Sequence, residues 1–259
     1  MTRRKKLMML NLSNEGSASK TTITKAEKEM LMHNGISHST LLGDKDHIEL
    51  LKTYGASEVK MFDIRQDKDT LINALADDVD VILVDFPASS IDEVVRTFGS
   101  MEEFVSALSQ FDTTPIFVTP VMSEKSIQSI DRLIMLCKGI QEPYEYLFVL
   151  NEGLMGANKD AVTHAFNSNK AIAAVVESGK ALTATLKVKF TPTLAEIVRT
   201  KKLREALKED MKPMERILLT SFLRETETQF SKVLGINSDR KSTRLNSSHV
   251  LRSRMPSSA

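Results

Sequence analysis

Lys20, Thr21 and Thr22 stand behind an apolar run, "KLMMLN", and a short polar loop, "LSNEGSAS". A strand, a loop and a helix opening on Lys-Thr-Thr is the order a phosphate-binding loop requires. Free backbone N–H groups at the helix start face the anion, and the helix dipole favours its charge. In that arrangement Lys20 neutralises the β- and γ-phosphates of a nucleotide, the Thr21 hydroxyl binds Mg²⁺, and Thr22 supports the α-phosphate. The same residues also fit a capped helix start, with Ser17 or Ser19 as N-cap and Lys20 in solvent.

Three later positions carry compatible chemistry. "LLGDKDHIE" ends a strand-like run in Asp44 and Asp46, which can orient a water or Mg²⁺ or simply cap a turn. "VDVILVDFPASS" ends in Asp85, where a carboxylate can hold Mg²⁺ through water. "EYLFVLN" ends in Asn151, whose amide can read a base edge or serve a turn. In open α/β sheets, ligands bind outside the carboxyl ends of the strands, so these ends belong together.

The elements that must position these residues alternate. Strand-like segments are "KLMMLN", "STLLG", "VDVILVDF", "PIFVTPV", "EYLFVLN" and "LTATLKVKF", and "EVKMFDI" precedes a further helix. "VDVILVDF" is nearly continuous and β-branched, as a strand buried on both faces should be. Between them lie helical patterns: Lys20 to about His33, "DHIELLKTYG", "KDTLINALAD", "SIDEVVRTFGSMEEFVSALSQF", "SIQSIDRLIMLCKGI", "TLAEIVRT", "KKLREALK" and Met211 to Leu234. Repeated βα units predict an α/β fold with a mostly parallel sheet and helices on both faces. No internal repeat or long linker appears, so one domain is expected from Met1 to about Ser238.

The composition excludes several classes. The chain has 259 residues, a net charge of +1 and a single cysteine, Cys137. Nearly cancelling charges give no global field for nucleic acid. One cysteine cannot form an internal disulfide and suits a reducing compartment. "LMMLNL" is too short for a signal h-region and no run is long enough to span a bilayer, which points to a cytoplasmic protein. His33, His38, His47 and His164 show no metal-ligand spacing. Met214, Ile217, Leu218, Phe222, Phe230, Val233 and Leu234 form one stripe, which packing onto the sheet explains.

From Asp239 onward the composition turns Ser- and Arg-rich and loses hydrophobic period. "DRKSTRLNSSH" is what a common sequencing adapter encodes, and "SRMPSSA" is its other half. On this reading residues 239–259 are a translated artefact, expected to be disordered and outside the fold. The natural chain is then cut off near Ser238, and what precedes the tail is mildly acidic. A natural basic tail is the alternative.

The order and spacing of these motifs resemble the ParA/MinD family of deviant Walker-A P-loop ATPases. Its loop, K-G-G-x-G-K-[ST]-T, falls on Glu15, Gly16, Ser17, Ala18, Ser19, Lys20, Thr21 and Thr22. Within it the chain is most similar to the conjugal-transfer TraL and plasmid-stability StbB types, through "NLS", "LLGDKD", "LVDFPASS", "YLFVLNEGLMG" and "TLAEIVRTKKLREAL". The resemblance implies ATP and Mg²⁺ as cofactors. It places Gly16 and Ser19 in the phosphate loop, Lys20 and Asp46 in catalysis, Thr21 and Asp85 at Mg²⁺, and Asn151 at adenine. It implies slow ATP hydrolysis in plasmid conjugal transfer, partition or stability, with transfer or partition proteins as partners. Two departures stand out. The lysine that reaches across the family's dimer is Glu15 here, which would weaken a homodimer, and the last loop glycine is Ser19. A degenerate, non-catalytic interaction module on the same fold is the alternative.

Overall fold

The computed structural model describes residues 6–16 and 19–235. Ser17 and residues 239–259 lie outside them, so neither the Ser17 cap nor the adapter reading of the tail is addressed by the fold.

Seven strands form one sheet: β1 (Lys6–Asn11), β2 (His38–Leu42), β3 (Lys60–Met61), β4 (Val81–Asp85), β5 (Thr113–Val121), β6 (Glu145–Asn151) and β7 (Ala181–Leu186). Their spatial order is β3-β2-β4-β1-β5-β6-β7, and every pairing is parallel. The expected α/β architecture, a parallel sheet with helices on both faces, is therefore present. Parallel neighbours need crossovers, and here helices supply them. They are α1 (Lys20–His33), α2 (Glu49–Tyr54), α3 (Lys68–Asn73), α4 (Ser90–Phe98), α5 (Met101–Ser109), α6 (Glu124–Leu136), α7 (Glu152–Met155), α8 (Lys159–Ser168), α9 (Lys170–Glu177), α10 (Pro192–Thr200), α11 (Leu203–Ala206) and α12 (Pro213–Val233).

Alternation along the strands divides two cores. Met8, Leu10, Ile82 and Val84 face the layer of α3–α6, α8 and α9. Met9, Val81, Leu83 and Val149 face α1 and α10–α12. The α12 stripe covers this second core through Phe222, Phe230 and Val233, while Met214 and Ile217 stay exposed. Cys137 is free and buried, and burial pushes its thiol up to about 12.

The segment from Ser90 to Phe111 is two helices rather than one. Gly99 takes φ 91°, which ends α4, and the Ser100 side chain accepts the Glu103 N–H to start α5. "EVKMFDI" contributes only the two-residue edge strand β3. The stretch 152–180, to which no sequence pattern was assigned, is largely helical as α7–α9.

Helix α1 departs from a normal amphipathic pattern. Lys20, Lys25, Glu27, Lys28 and Glu29 are all buried on it. Each has polar company, as buried charges require. Lys25 Nζ donates to Thr53 Oγ1 at 3.1 Å and to the Arg199 carbonyl at 3.3 Å. Lys28 pairs with Glu58 at 3.4 Å. Glu29 accepts the Tyr54 hydroxyl at 2.6 Å and the backbone N–H of Leu203 at 2.8 Å. These bonds fix α1, and hence its N-terminus, against α2 and the α10–α11 segment.

Candidate nucleotide site

Register brings the candidate carboxylate end of β4 to the centre of the sheet. Asn11, the last residue of β1, is paired with Asp85 on β4, and Leu42 flanks Asp85 from β2. The next residues from β1 form the loop into α1. That loop is bolted to its surroundings. Ser13 N–H donates to Ser90 Oγ at 3.0 Å, and Asn14 Nδ2 donates to Asp92 Oδ2 at 2.8 Å. The Ile91 N–H donates back to Asn14 Oδ1 at 3.2 Å. The loop thus rests on the start of α4.

Ser19 immediately precedes α1 with φ 59° and ψ 17°. This is the left-handed region where glycine is the default residue. A serine with its Cβ therefore holds a backbone conformation that glycine adopts more readily. Ser19 makes no side-chain cap, and its Oγ is buried without a partner. The simple capped-helix alternative with Ser19 as cap and Lys20 solvated does not describe this segment, because Lys20 is 7% exposed.

Lys20 Nζ donates to the Glu15 carbonyl at 3.1 Å. Burial lowers its pKa, while Asp85, Asp44 and Glu15 oppose that shift. Nearby carboxylates thus favour the charged lysine but do not reverse the lowering that burial imposes. Asp85 is fully buried, and burial pushes its carboxyl up to about 7. Thr21, Lys20 and Thr24 favour its charged form, and Asp44 opposes it. Neither Asp85 oxygen has a well-formed hydrogen bond. A buried carboxylate approached only by the Thr21 and Thr24 hydroxyls is a donor set that a hydrated divalent cation fits. Thr21 and Asp85 are the residues that would hold it.

Behind Asp85 lies Glu27, which sequence reading missed. Asn11 Nδ2 donates to its Oε2 at 2.6 Å, and its other oxygen has no partner. Burial, aided by Asp85, pushes Glu27 up to about 8 against the Asn11 hydrogen bond. Nothing in the sequence marked it, because an acidic residue in mid-helix reads as solvent-facing.

The two acids of the D-x-D are placed differently. Asp44 Oδ1 accepts the N–H groups of Asp46 and His47 at 3.0 and 3.1 Å, closing a tight turn. Asp44 lines the cavity beside Lys20, whereas Asp46 is exposed and outside that lining. Asn151 is fully buried at the end of β6 with both amide atoms unpaired, and it too lies outside the cavity lining. Gly16 is exposed on the loop, next to the side of Ala88.

Glu15 points away from the lysine. Its carboxylate accepts Ser123 Oγ at 2.7 Å and also the Ser126 hydroxyl. These serines form the N-terminal cap of α6. The loop acid is therefore seated on a helix N-terminus, where a negative charge is favoured.

A cavity of about 360 Å³ opens over Ser19–Thr22. Asp44, His47 and Glu49 line it from the β2–α2 connection, and Lys25 from α1. Leu154, Phe190, Ala195 and Val198 line it from the segments after β6 and β7 and from α10. Since β2 and β6–β7 lie on opposite sides of β1, the cavity runs across the carboxyl edge of the sheet. Among the described residues no helix is long and apolar enough to cross a membrane, and no cluster of three or more His, Cys, Asp or Glu could hold a metal.

No protein-family model matches the chain, and no curated protein matches it. Solved structures similar in chain trace include the MinD cell division protein of Aquifex aeolicus, at 17% identity, 85% of this chain, 96% of that chain and a TM-score of 0.47. A ParA family ATPase from Chlorobium tepidum TLS has 13% identity, 86% and 98% coverage and a TM-score of 0.45. A plasmid partition protein from Borrelia burgdorferi has 10% identity, 86% and 100% coverage and a TM-score of 0.41. At such identities the likeness is one of chain trace, and the strand order above stands on its own pairings.

Proposed function

We propose that the chain is a ParA-like nucleotide-binding protein that takes ATP with Mg²⁺ at the β1–α1 loop. The observation that carries this reading is the buried Lys20 ammonium, set at the start of α1 between Asp44 and Asp85 and opening on the cavity. In this role Lys20 faces the β/γ-phosphates, and the backbone of Gly16 and Ser19 wraps them. Thr22 supports the α-phosphate, and Thr21 with Asp85 holds the hydrated cation. When bound, Mg²⁺ supplies charge neutralisation for the phosphates. Asp46 orients the attacking water from the turn that Asp44 closes at the cavity; water attack on the γ-phosphate, stabilised by Lys20, would be slow. The biological setting in this proposal is plasmid transfer, partition or stability, in the cytoplasm.

A second reading has its own support. Lys20 is occupied by the Glu15 carbonyl, and Ser19 holds a conformation costly for a residue with a Cβ. Both features suit a protein that keeps the fold as a non-catalytic interaction module. An ATP titration of the whole chain with Mg²⁺, followed by a phosphate-release assay, separates the two. Saturable binding with slow release supports the first. Absence of binding at millimolar ATP rejects it in favour of the second.

A further inference from the structure

We infer that Phe190 is the base platform of this cavity, and that the site accepts purine nucleotides with little preference between adenine and guanine. This rests on the nucleotide reading proposed above and names the part of the site that would set its selectivity.

Phe190 follows β7, half-buried at the cavity wall. Its ring meets that of Phe222 edge to face, with centroids 5.1 Å apart and planes at 86°. Phe222, on α12, is fully buried in the core. The Phe190 ring is thus braced from behind by a rigid partner, in a preferred aromatic geometry. The side chains around it, Leu154, Ala195 and Val198, are apolar. Leu154, Phe190, Ala195 and Val198 give the cavity an apolar part, distinct from the polar part at Asp44, His47 and Glu49. A nucleotide has the same polarity along its length, with charge at the phosphates and an apolar aromatic face at the base. With its phosphates at Lys20 and Thr21, its base falls to the Phe190 side.

The apolar side chains at that end offer nothing to read a base edge. Leu154, Phe190, Ala195 and Val198 carry neither donor nor acceptor. Arg199, which also lines the cavity, donates from Nε and Nη2 to Glu196 at 2.8–3.0 Å, and its Nη1 lies 4.0 Å from Glu49. Asn151, the amide that might have read adenine, has no exposed surface and does not line the cavity. Short helix α7 starts directly on it, and Gly153 lets that helix lie so close to the Val188 carbonyl that any Cβ would collide with it. Stacking is tolerant of base identity because every base has a π-face. Selection by hydrogen bonding, which rejects a wrong partner by leaving buried groups unpaired, is missing from these side chains.

The test is calorimetric titration of the full chain with ATP, GTP and inorganic tripolyphosphate, each with Mg²⁺, using the wild type, Phe190→Leu and Phe190→Tyr. Phe190→Leu keeps apolar packing on Phe222 and removes the ring, and Phe190→Tyr restores the ring. Melting of each variant checks that the fold is retained. The expected result is ATP and GTP affinities within about fivefold, both weakened about tenfold in Phe190→Leu and recovered in Phe190→Tyr, with tripolyphosphate unaffected. Unchanged nucleotide affinity in Phe190→Leu, with tripolyphosphate still bound, overturns the platform and leaves the phosphate site standing. An ATP preference above about thirtyfold that disappears in Asn151→Ala overturns the selectivity and returns base reading to the amide. If the wild type binds neither nucleotide nor tripolyphosphate, the phosphate site and this inference fall together.

Discussion

Ser123 Oγ donates to Glu15 Oε1 at 2.7 Å, across 108 positions of sequence, while its own oxygen accepts the N–H groups of Lys125 and Ser126. The hydroxyl caps α6 and donates its hydrogen bond to the loop acid. The same Glu15 residue offers its backbone carbonyl to Lys20. One residue therefore links the proposed phosphate lysine to the start of a helix on the opposite face of the sheet. The charge of Glu15 reaches Lys20, but its carboxylate is held at α6.

Removing that carboxylate should cost stability even without nucleotide. Glu15→Ala deprives two serine hydroxyls of their acceptor and takes an anion from a helix N-terminus. We expect a loss of about 1–2 kcal/mol in chemical denaturation. Glu15→Lys should cost more, since it puts a cation on the same terminus. Equal stability of the wild type and Glu15→Lys would contradict the α6 seat.

Ser19 gives a prediction of opposite sign. A left-handed residue with a Cβ costs roughly 1–2 kcal/mol, of which the greater freedom of unfolded glycine offsets about 0.5–1. The buried, unpaired Ser19 hydroxyl adds to the native cost. Ser19→Gly should therefore raise stability by about 0.5–1 kcal/mol, and Ser19→Val should lower it by more than about 1 kcal/mol. Thermal melting reads both, and a loss of stability in Ser19→Gly would count against the φ at this position.

Glu27 predicts a pH dependence. Its pKa is raised in the folded state, to about 8. As pH rises past the ordinary glutamate value, the unfolded chain releases this proton first while the folded chain retains it. The wild type thus loses stability from this group between about pH 4.5 and 8. Glu27→Gln has no such proton and can still accept from Asn11. Its stability relative to wild type should rise by at least about 1 kcal/mol between about pH 5 and 8.5. A difference that stays flat over that range would show that Glu27 titrates normally.

Much of this arrangement was legible in the sequence, and what was not has physical causes. "KLMMLN", "VDVILVDF" and "EYLFVLN" read as strands because central parallel strands are apolar on both faces. Lys20 at the head of α1 and Asp85 at the end of β4 followed from that placement. The break at Gly99 was hidden because a single glycine inside a helical period is locally tolerated. The buried charges of α1 were hidden because their partners, such as Thr53, Glu58 and Leu203, come from distant segments. Asp44 and Asp46 were indistinguishable by type, and only the turn closed by Asp44 decides which one lines the cavity. Phe190 passed as the end of a strand, since its ring contact with Phe222 joins residues far apart in sequence.

The central claim is that Lys20 binds phosphate. The direct measurement is calorimetric titration of ATP with Mg²⁺ into the wild type and Lys20→Ala, with melting curves for both. Lys20 sits at the ligand-facing start of α1, so its loss should leave the fold intact. It should weaken ATP by about a hundredfold or more, as the loss of a buried charge contact costs about 2–5 kcal/mol. ATP bound by a folded Lys20→Ala protein as tightly as by the wild type would contradict the account.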